Sequence, residues 1–260
     1  METRLSQFRC KPHTQGRSAG SQSVRTVEFV EPATSRAGRR FEPLGEVQLH
    51  DLILDVAASV PSKGSDAIVI PEMPSPLGLP DFVAIIGGKD WLRRRARSGV
   101  SATLVPADCH LLASMANSRP LKLETIARRA GWNEPDAREV ARRLLRTGAI
   151  EELANGTLRR NGDIEPSGYV FGIEAKLKDW RRAMIQGRNY RTWANNYVVV
   201  LGDIGAQANL RARESVAADG GGLYTREGWV ARPQRRDPAM SSRILGFEYV
   251  YAAIGLKPSL

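Results

Sequence analysis

Glu174 and Lys176 sit two positions apart in the otherwise apolar run "YVFGIEAKL" (169–177). In an extended strand, residues i and i+2 project to the same face. This carboxylate and this ammonium therefore stand side by side while Ala175 turns away. Farther back, "AIVIPE" (67–72) and "DFVAIIGG" (81–88) are apolar strand runs joined by the Pro- and Gly-rich "MPSPLGLP". They read as a hairpin with Glu72 and Asp81 near its mouth. With its second arm on a strand neighbouring 169–177, Asp81 can meet Glu174. Two carboxylates that close repel unless a divalent cation lies between them, and a hard, oxygen-seeking ion, Mg2+ or Mn2+, suits the pair. Such an ion acidifies a bound water and offsets the charge that builds on a phosphorane. Lys176 can orient that water or neutralise the same charge. Gln186 and Tyr190, one helical turn apart in the stretch that follows, share a face and can hold a substrate phosphate or the lysine.

Each residue also has an ordinary role open to it. Glu174 and Lys176 can form an ion pair on an edge strand, Asp81 can begin a turn after Pro80, and Gln186 and Tyr190 can rim a core.

The elements that must position these residues follow from periodicity. "EVQLHDLILDVAASV" (46–60) spaces Val47, Leu49, Leu52, Ile53, Val56, Ala57 and Val60 as one face of a helix, stopped by Pro61 and Gly64. A helix is expected over 178–195, with Trp180, Ala183, Met184, Gly187, Tyr190 and Ala194 inward. "YVVVLG" (197–202) lacks polar alternation and suits a strand buried on both faces. A helix over 207–218 and a glycine-led strand, turn and strand over 220–232 complete this α/β texture.

Between the two α/β stretches the texture changes. "ADCHLLASMANS", "LKLETIARRAG" and "NEPDAREVARRLLRTG" read as three helices, the second capped by Gly131. Two short strand runs around Asn155-Gly156, a strong hairpin signal, follow. This order resembles a winged helix-turn-helix spanning 106–161, with the third helix as groove reader and the hairpin as wing. The resemblance implies DNA contacts by Arg138, Arg142, Arg143 and Arg146, with Arg159 and Arg160 flanking the wing. A plain helical insertion with a solvated basic face is the alternative.

The surrounding order of helix, strand, strand with Pro80-Asp81, strand with Glu174-Ala175-Lys176, helix and buried strand resembles the PD-(D/E)XK nuclease superfamily. Asp81 matches the family's Asp, Glu174 and Lys176 match its ExK, and Gln186 with Tyr190 resembles the Q-x-x-x-Y motif of the helicase-associated exonuclease branch. The resemblance implies an α/β fold with a restriction-endonuclease-like mixed sheet flanked by helices. It makes 46–88 and 165–260 the nuclease-like core, interrupted by the winged helix-turn-helix. It implies catalysis by Asp81, Glu174, Lys176, Gln186 and Tyr190. The metal would be held by Asp81 and Glu174, with Glu72 as a further ligand. Two departures stand out. The stretch between Asp81 and Glu174 is longer than the family usually shows. The family's further acid on the first helix is also unassigned among Glu46, Asp51, Asp55 and the alternative Glu72.

Composition bounds the rest. The net charge of +10 and pI near 10.0 favour an acidic partner, most often nucleic acid. There are 31 arginines against seven lysines. Arginine's planar fork grips phosphates in pairs of hydrogen bonds, although a GC-rich genome inflates arginine too. Arg181, Arg182, Arg188 and Arg191 fall where a DNA strand would enter the cleft. Cys10, Cys109, His13, His50 and His110 match no zinc spacing, and two isolated thiols suit a reducing interior. Residues 1–45 read as a basic, largely disordered arm in which "TVEFV" (26–30) can add a strand. No secretory core, membrane span or ATPase loop of the G-x-x-x-x-G-K-[ST] form is expected. The sequence reading is a cytoplasmic, nucleoid-associated, metal-dependent DNA nuclease, as a homodimer or with a helicase or ATPase partner. Its rivals are a non-catalytic winged-helix regulator and an interaction protein docked in a larger complex.

Overall fold

The structure is a computed structural model, and it describes residues 25–32, 47–115 and 119–255. Cys10, His13 and Glu46 lie outside the described residues, as does the basic N-terminal stretch apart from 25–32.

The chain is α/β. Its strands are β1 (Thr26–Phe29), β2 (Asp66–Pro71), β3 (Phe82–Ile86), β4 (Ile150–Glu152), β5 (Leu158–Arg160), β6 (Tyr169–Lys176), β7 (Asn196–Leu201), β8 (Gly222–Thr225) and β9 (Gly228–Ala231). The α-helices among the described residues are α1 (His50–Ser59), α2 (Lys89–Arg97), α3 (Pro106–Ser114), α4 (Leu123–Ala130), α5 (Glu134–Thr147), α6 (Trp180–Tyr190), α7 (Ala206–Ala218) and α8 (Met240–Ile254). Seven strands form one mixed sheet in the order β1-β2-β3-β6-β7-β8-β9. The hairpin β2–β3 and the pairs β3–β6 and β8–β9 are antiparallel. The pairs β1–β2, β6–β7 and β7–β8 are parallel. The "TVEFV" run thus joins the sheet as its edge strand, beside β2.

Strand alternation divides the core in two. On one face Ile68, Ile70, Val83, Ile85, Val170, Val199 and Leu201 pack with Trp91 and Leu92 of α2, Ala183 and Met184 of α6, and Phe247 and Val250 of α8. On the other, Val69, Ala84, Ile86, Phe171, Ile173, Ala175, Val198 and Val200 pack against Ile53, Val56 and Ala57 of α1. Each such buried aliphatic side chain stabilises the fold by about 1.5–3 kcal/mol relative to exposure. β7 is buried at every position because both layers cover it. The alternation puts Glu174 and Lys176 on the α6 face and Ala175 on the α1 face.

The 106–160 stretch folds around its own core, in which Leu111, Leu112, Ile126, Ala127, Val140, Leu144, Ile150 and Leu158 meet. β4 and β5 form a hairpin, with Gly156 in the left-handed region (φ 73°) at its turn. Leu121, just before α4, exchanges two backbone hydrogen bonds with Leu158 (3.0 and 2.8 Å) and adds a third short strand to the hairpin.

Two helices, α2 and α8, were not expected from the sequence. No helix among the described residues is long and apolar enough to cross a membrane.

Candidate active site

The site forms where β3 begins and β6 ends. Phe82 pairs with Ile173, so the antiparallel register carries Asp81 to the level of Glu174. The Glu72 N–H donates to the Asp81 carbonyl (3.0 Å) and closes the base of the β2–β3 loop, with Glu72 itself at φ 46°. Asp81 Oδ2 accepts from the Ala175 N–H and from Lys176 Nζ, both at 2.9 Å. Lys176 Nζ also donates to the Ala175 carbonyl (2.9 Å) and lies 3.9 Å from Glu174 Oε2. The Tyr190 hydroxyl donates to Glu174 Oε1. Asp81, Glu174, Lys176 and Tyr190 therefore converge, drawn from two strands and the last turn of α6.

Burial sets the chemistry. The Glu174 side chain is 0% exposed, against 17% for both Asp81 and Lys176. Its carboxyl is pushed up to about 8, chiefly by burial and then by the charge of Asp81, while the Tyr190 hydroxyl and the Lys176 ammonium oppose the rise. Glu174 Oε2 is buried without a hydrogen-bond partner. Two ionised carboxylates are acceptors only, so Asp81 cannot satisfy that oxygen unless a proton or a cation comes between them. This orphaned oxygen beside a second carboxylate fits a hard divalent ion that keeps several of its waters. The fit rests on two carboxylates. Among the described residues no group of three or more His, Cys, Asp or Glu could hold a metal, so Glu72, Asp81 and Glu174 do not form a three-acid cage. Asp51 and Asp55 belong to α1, which packs on the opposite face of the sheet from Glu174. Gln186 Oε1 on α6 is a second buried oxygen without a hydrogen-bond partner.

Tyr190 reaches Glu174 because two glycines make room for its ring. A Cβ on Gly172, two residues before Glu174 on the same face, would fall 2.7 Å from Tyr190 Cγ. A Cβ on Gly78 of the β2–β3 loop would fall 3.1 Å from Tyr190 Cε1, and Gly78 is held at φ 90°. The sequence reading passed over both glycines. The only available signal for Gly172 was a glycine inside a strand, which marks close approach by another group.

The arginines separate into distinct roles. Arg143 Nε donates to both oxygens of the buried Asp108 (2.9 and 3.0 Å) and ties α5 to α3, while its side chain stays a third exposed. Arg160 is a correction to the expected DNA contact: it is buried, donating to the Leu112 carbonyl (2.9 Å) and to Glu165. A charge count treats every arginine alike and cannot foresee these distant partners. Arg138 and Arg159 are exposed but pair with Glu134 and Glu151. Arg188 pairs with Asp219. Arg142 and Arg146 are exposed on α5 with no ion pair among the described residues, and Arg128 and Arg129 of α4 are exposed likewise. Arg181 lies over the Trp180 ring (4.8 Å), and Arg182 is exposed in the same turn.

Comparison of this chain with protein-family models, with curated proteins and with solved structures returns no match.

Proposed function

We propose that the protein is a metal-dependent DNA nuclease with a restriction-endonuclease-like core and an inserted winged helix-turn-helix. One observation carries the reading. Glu174 is a fully buried carboxyl whose Oε2 has no partner unless a proton or a cation lies between it and Asp81, with Lys176 alongside. Keeping such a group costs stability, which argues for a use. Asp81 and Glu174 would hold Mg2+ or Mn2+, which when bound supplies an acidified water and charge neutralisation at phosphorus. The chain's own residues do the rest. Lys176, anchored by Asp81 and the Ala175 carbonyl, presents a fixed ammonium to the nucleophilic water or to the phosphorane. Tyr190 fixes the Glu174 carboxyl, and Gln186 offers an amide on the same helix face. In the hydrolysis, a water oxygen bonds to phosphorus, one phosphodiester P–O bond breaks, and the departing oxygen takes up a proton.

The distribution of cations supports a polyanionic substrate. Lys178, Arg181 and Arg182 crowd the start of α6, where the helix dipole disfavours cations and the N-cap Asp179 supplies a single opposing charge. A phosphate backbone would offset that repulsion. The helix order α3, α4, α5 followed by a hairpin that Leu121 extends supports the winged-helix reading. The first turn of α5 carries Glu134 and Asp136, which repel phosphates. DNA contact is therefore centred on Arg142 and Arg146 of α5, and the exposed Arg128 and Arg129 of α4 add further cations.

The test is cleavage of linear and supercoiled DNA in Mg2+ or Mn2+ by the native chain and by Glu174→Ala and Lys176→Ala. Metal-dependent cutting that both substitutions abolish supports the reading. DNA binding that survives both substitutions, with no cutting in either metal, overturns it. That outcome would favour a non-catalytic winged-helix regulator, a reading in which the Lys176–Asp81 ion pair serves stability alone.

A further inference from the structure

We infer, building on the nuclease reading, that the 106–160 unit and the Asp81–Glu174–Lys176 cluster form one rigid gauge, so that duplex DNA is cut internally at a set distance from where α5 grips it. The insertion is locked at both of its ends and along one side. At its incoming end, Arg95 of α2 and Glu248 of α8 form a fully buried pair (2.8 and 2.7 Å). Arg95 also donates to the carbonyls of Val100 (2.6 Å) and Ser101 (2.8 Å). Glu248 accepts from the Thr103 N–H (2.7 Å), and the Tyr251 ring covers the guanidinium at 4.4 Å. The segment leading into α3 is thus fixed by the central hydrogen bonds of the protein core, whereas a hinge is ordinarily an exposed linker with few crossing contacts.

The outgoing end is equally tied down. Arg160 and the buried Ile164 hold the chain after β5 to the insertion's own core. Arg243 of α8 donates to the Gly168 carbonyl (3.2 Å). Gly168 is at φ 105°, and a Cβ there would fall 2.7 Å from the Ile86 carbonyl. The next residue opens β6, the strand that carries Glu174 and Lys176. Along its side the insertion shares a helix with the core: Ile244 of α8 lies in the three-helix cluster, while Phe247, Val250 and Ala253 lie in the sheet's. α5 and the cluster are therefore joined by packed side chains rather than by a tether, and a displacement between them must break a buried ion pair.

The experiment places a photo-crosslinker on exposed Glu139 of α5, as Glu139→Cys in a Cys10→Ser background of the full chain. Crosslinked complexes on end-labelled duplex DNA are then supplied with Mg2+ or Mn2+, and the crosslinked nucleotide and the cut are mapped on the same molecule. One spacing, constant to within a nucleotide across unrelated DNA sequences, is expected. Glu248→Gln and a four-residue insertion after Gly99 should each broaden it several-fold in chains that still fold and bind DNA. A broad spacing in the parent chain, with cutting intact, overturns the gauge and leaves the nuclease reading standing. A lack of cutting by the parent before crosslinking removes both.

Discussion

Replacing Glu174 with Gln should stabilise the metal-free protein as pH rises, even as it abolishes catalysis. The Glu174 carboxyl titrates near 8 in the folded chain against an ordinary 4.5. Between those values the unfolded chain has released the proton and the folded chain still holds it. Stability therefore falls with rising pH, by up to about 1.4 kcal/mol per unit, and the loss is complete above the folded value. Integrated to pH 7, the cost of Glu174 is about 3 kcal/mol, and the side chain's complete burial leaves no solvent screening to discount it. Gln keeps the shape and carries no proton to lose. Its constant offset from Glu, whatever hydrogen bonds it makes to Tyr190 and Asp81, cancels when the two proteins are compared across pH. Urea unfolding of both proteins with chelator present, from pH 4.5 to 8.5, reads the effect directly. The gap should widen by about 3 kcal/mol between pH 4.5 and 7 and level off above pH 8. Saturating Mg2+ should narrow it, since the metal binds only the folded parent. A gap that stays constant over the whole range would refute the reasoning, because Glu174 would then be ionised in the native protein throughout.

Four further outcomes test other parts of the structure. Gly172→Ala should cost about 1–3 kcal/mol of stability by driving a methyl into the Tyr190 ring, and most of that loss should vanish in a Tyr190→Ala background when both are measured by denaturant titration. Arg142→Ala should weaken DNA binding and reduce the slope of log affinity against log salt by about 1 without moving the melting temperature. Its neighbour's substitution, Arg143→Ala, should instead lower stability by about 2 kcal/mol, because it strips the hydrogen bonds from the buried Asp108. Arg95→Ala should be the most damaging, at about 3–5 kcal/mol in thermal or urea unfolding, since it leaves Glu248 charged and unpaired in the core.

The parts legible in the sequence were those set by local spacing. Glu174 and Lys176 share a face because strands alternate, and Tyr190 lies on the inward stripe of α6 because it falls in register with Ala183 and Gly187. The order of helices and hairpin over 106–160 could be read because Asn155-Gly156 marks its turn. The features missed depend on partners far along the chain. α2 reads "KDWLRRRAR", too charged to suggest a core helix. Its inward face is nonetheless Trp91, Leu92 and Arg95, and Arg95 is acceptable there only because Glu248 waits 153 residues away. The roles of Arg142 and Arg143 diverge for the same reason: one residue's rotation around α5 brings the second to Asp108 and leaves the first in water. Gly172 inside an apolar strand signals only that some group comes close, because its meaning lies in the tyrosine that covers it.

On the proposed reading, proton and metal would compete for the same oxygen, which would link the stability cost of Glu174 to the chemistry. With Glu174 protonated, the cluster holds one negative charge on Asp81 and one positive charge on Lys176, joined at 2.9 Å. Loss of the proton adds a second negative charge beside Asp81, on a carboxyl that is itself fully buried, and Oε2 then has no hydrogen-bond partner among the described residues. A divalent cation held there, as proposed, would relieve both the repulsion and the unsatisfied oxygen at once, and would release the proton on binding. On that reading, the same burial that raises the carboxyl would convert lost folding stability into affinity for a hard cation. Tyr190 and its two glycines hold the carboxyl in place, so the ring would contribute to the binding of such a cation as well as to packing.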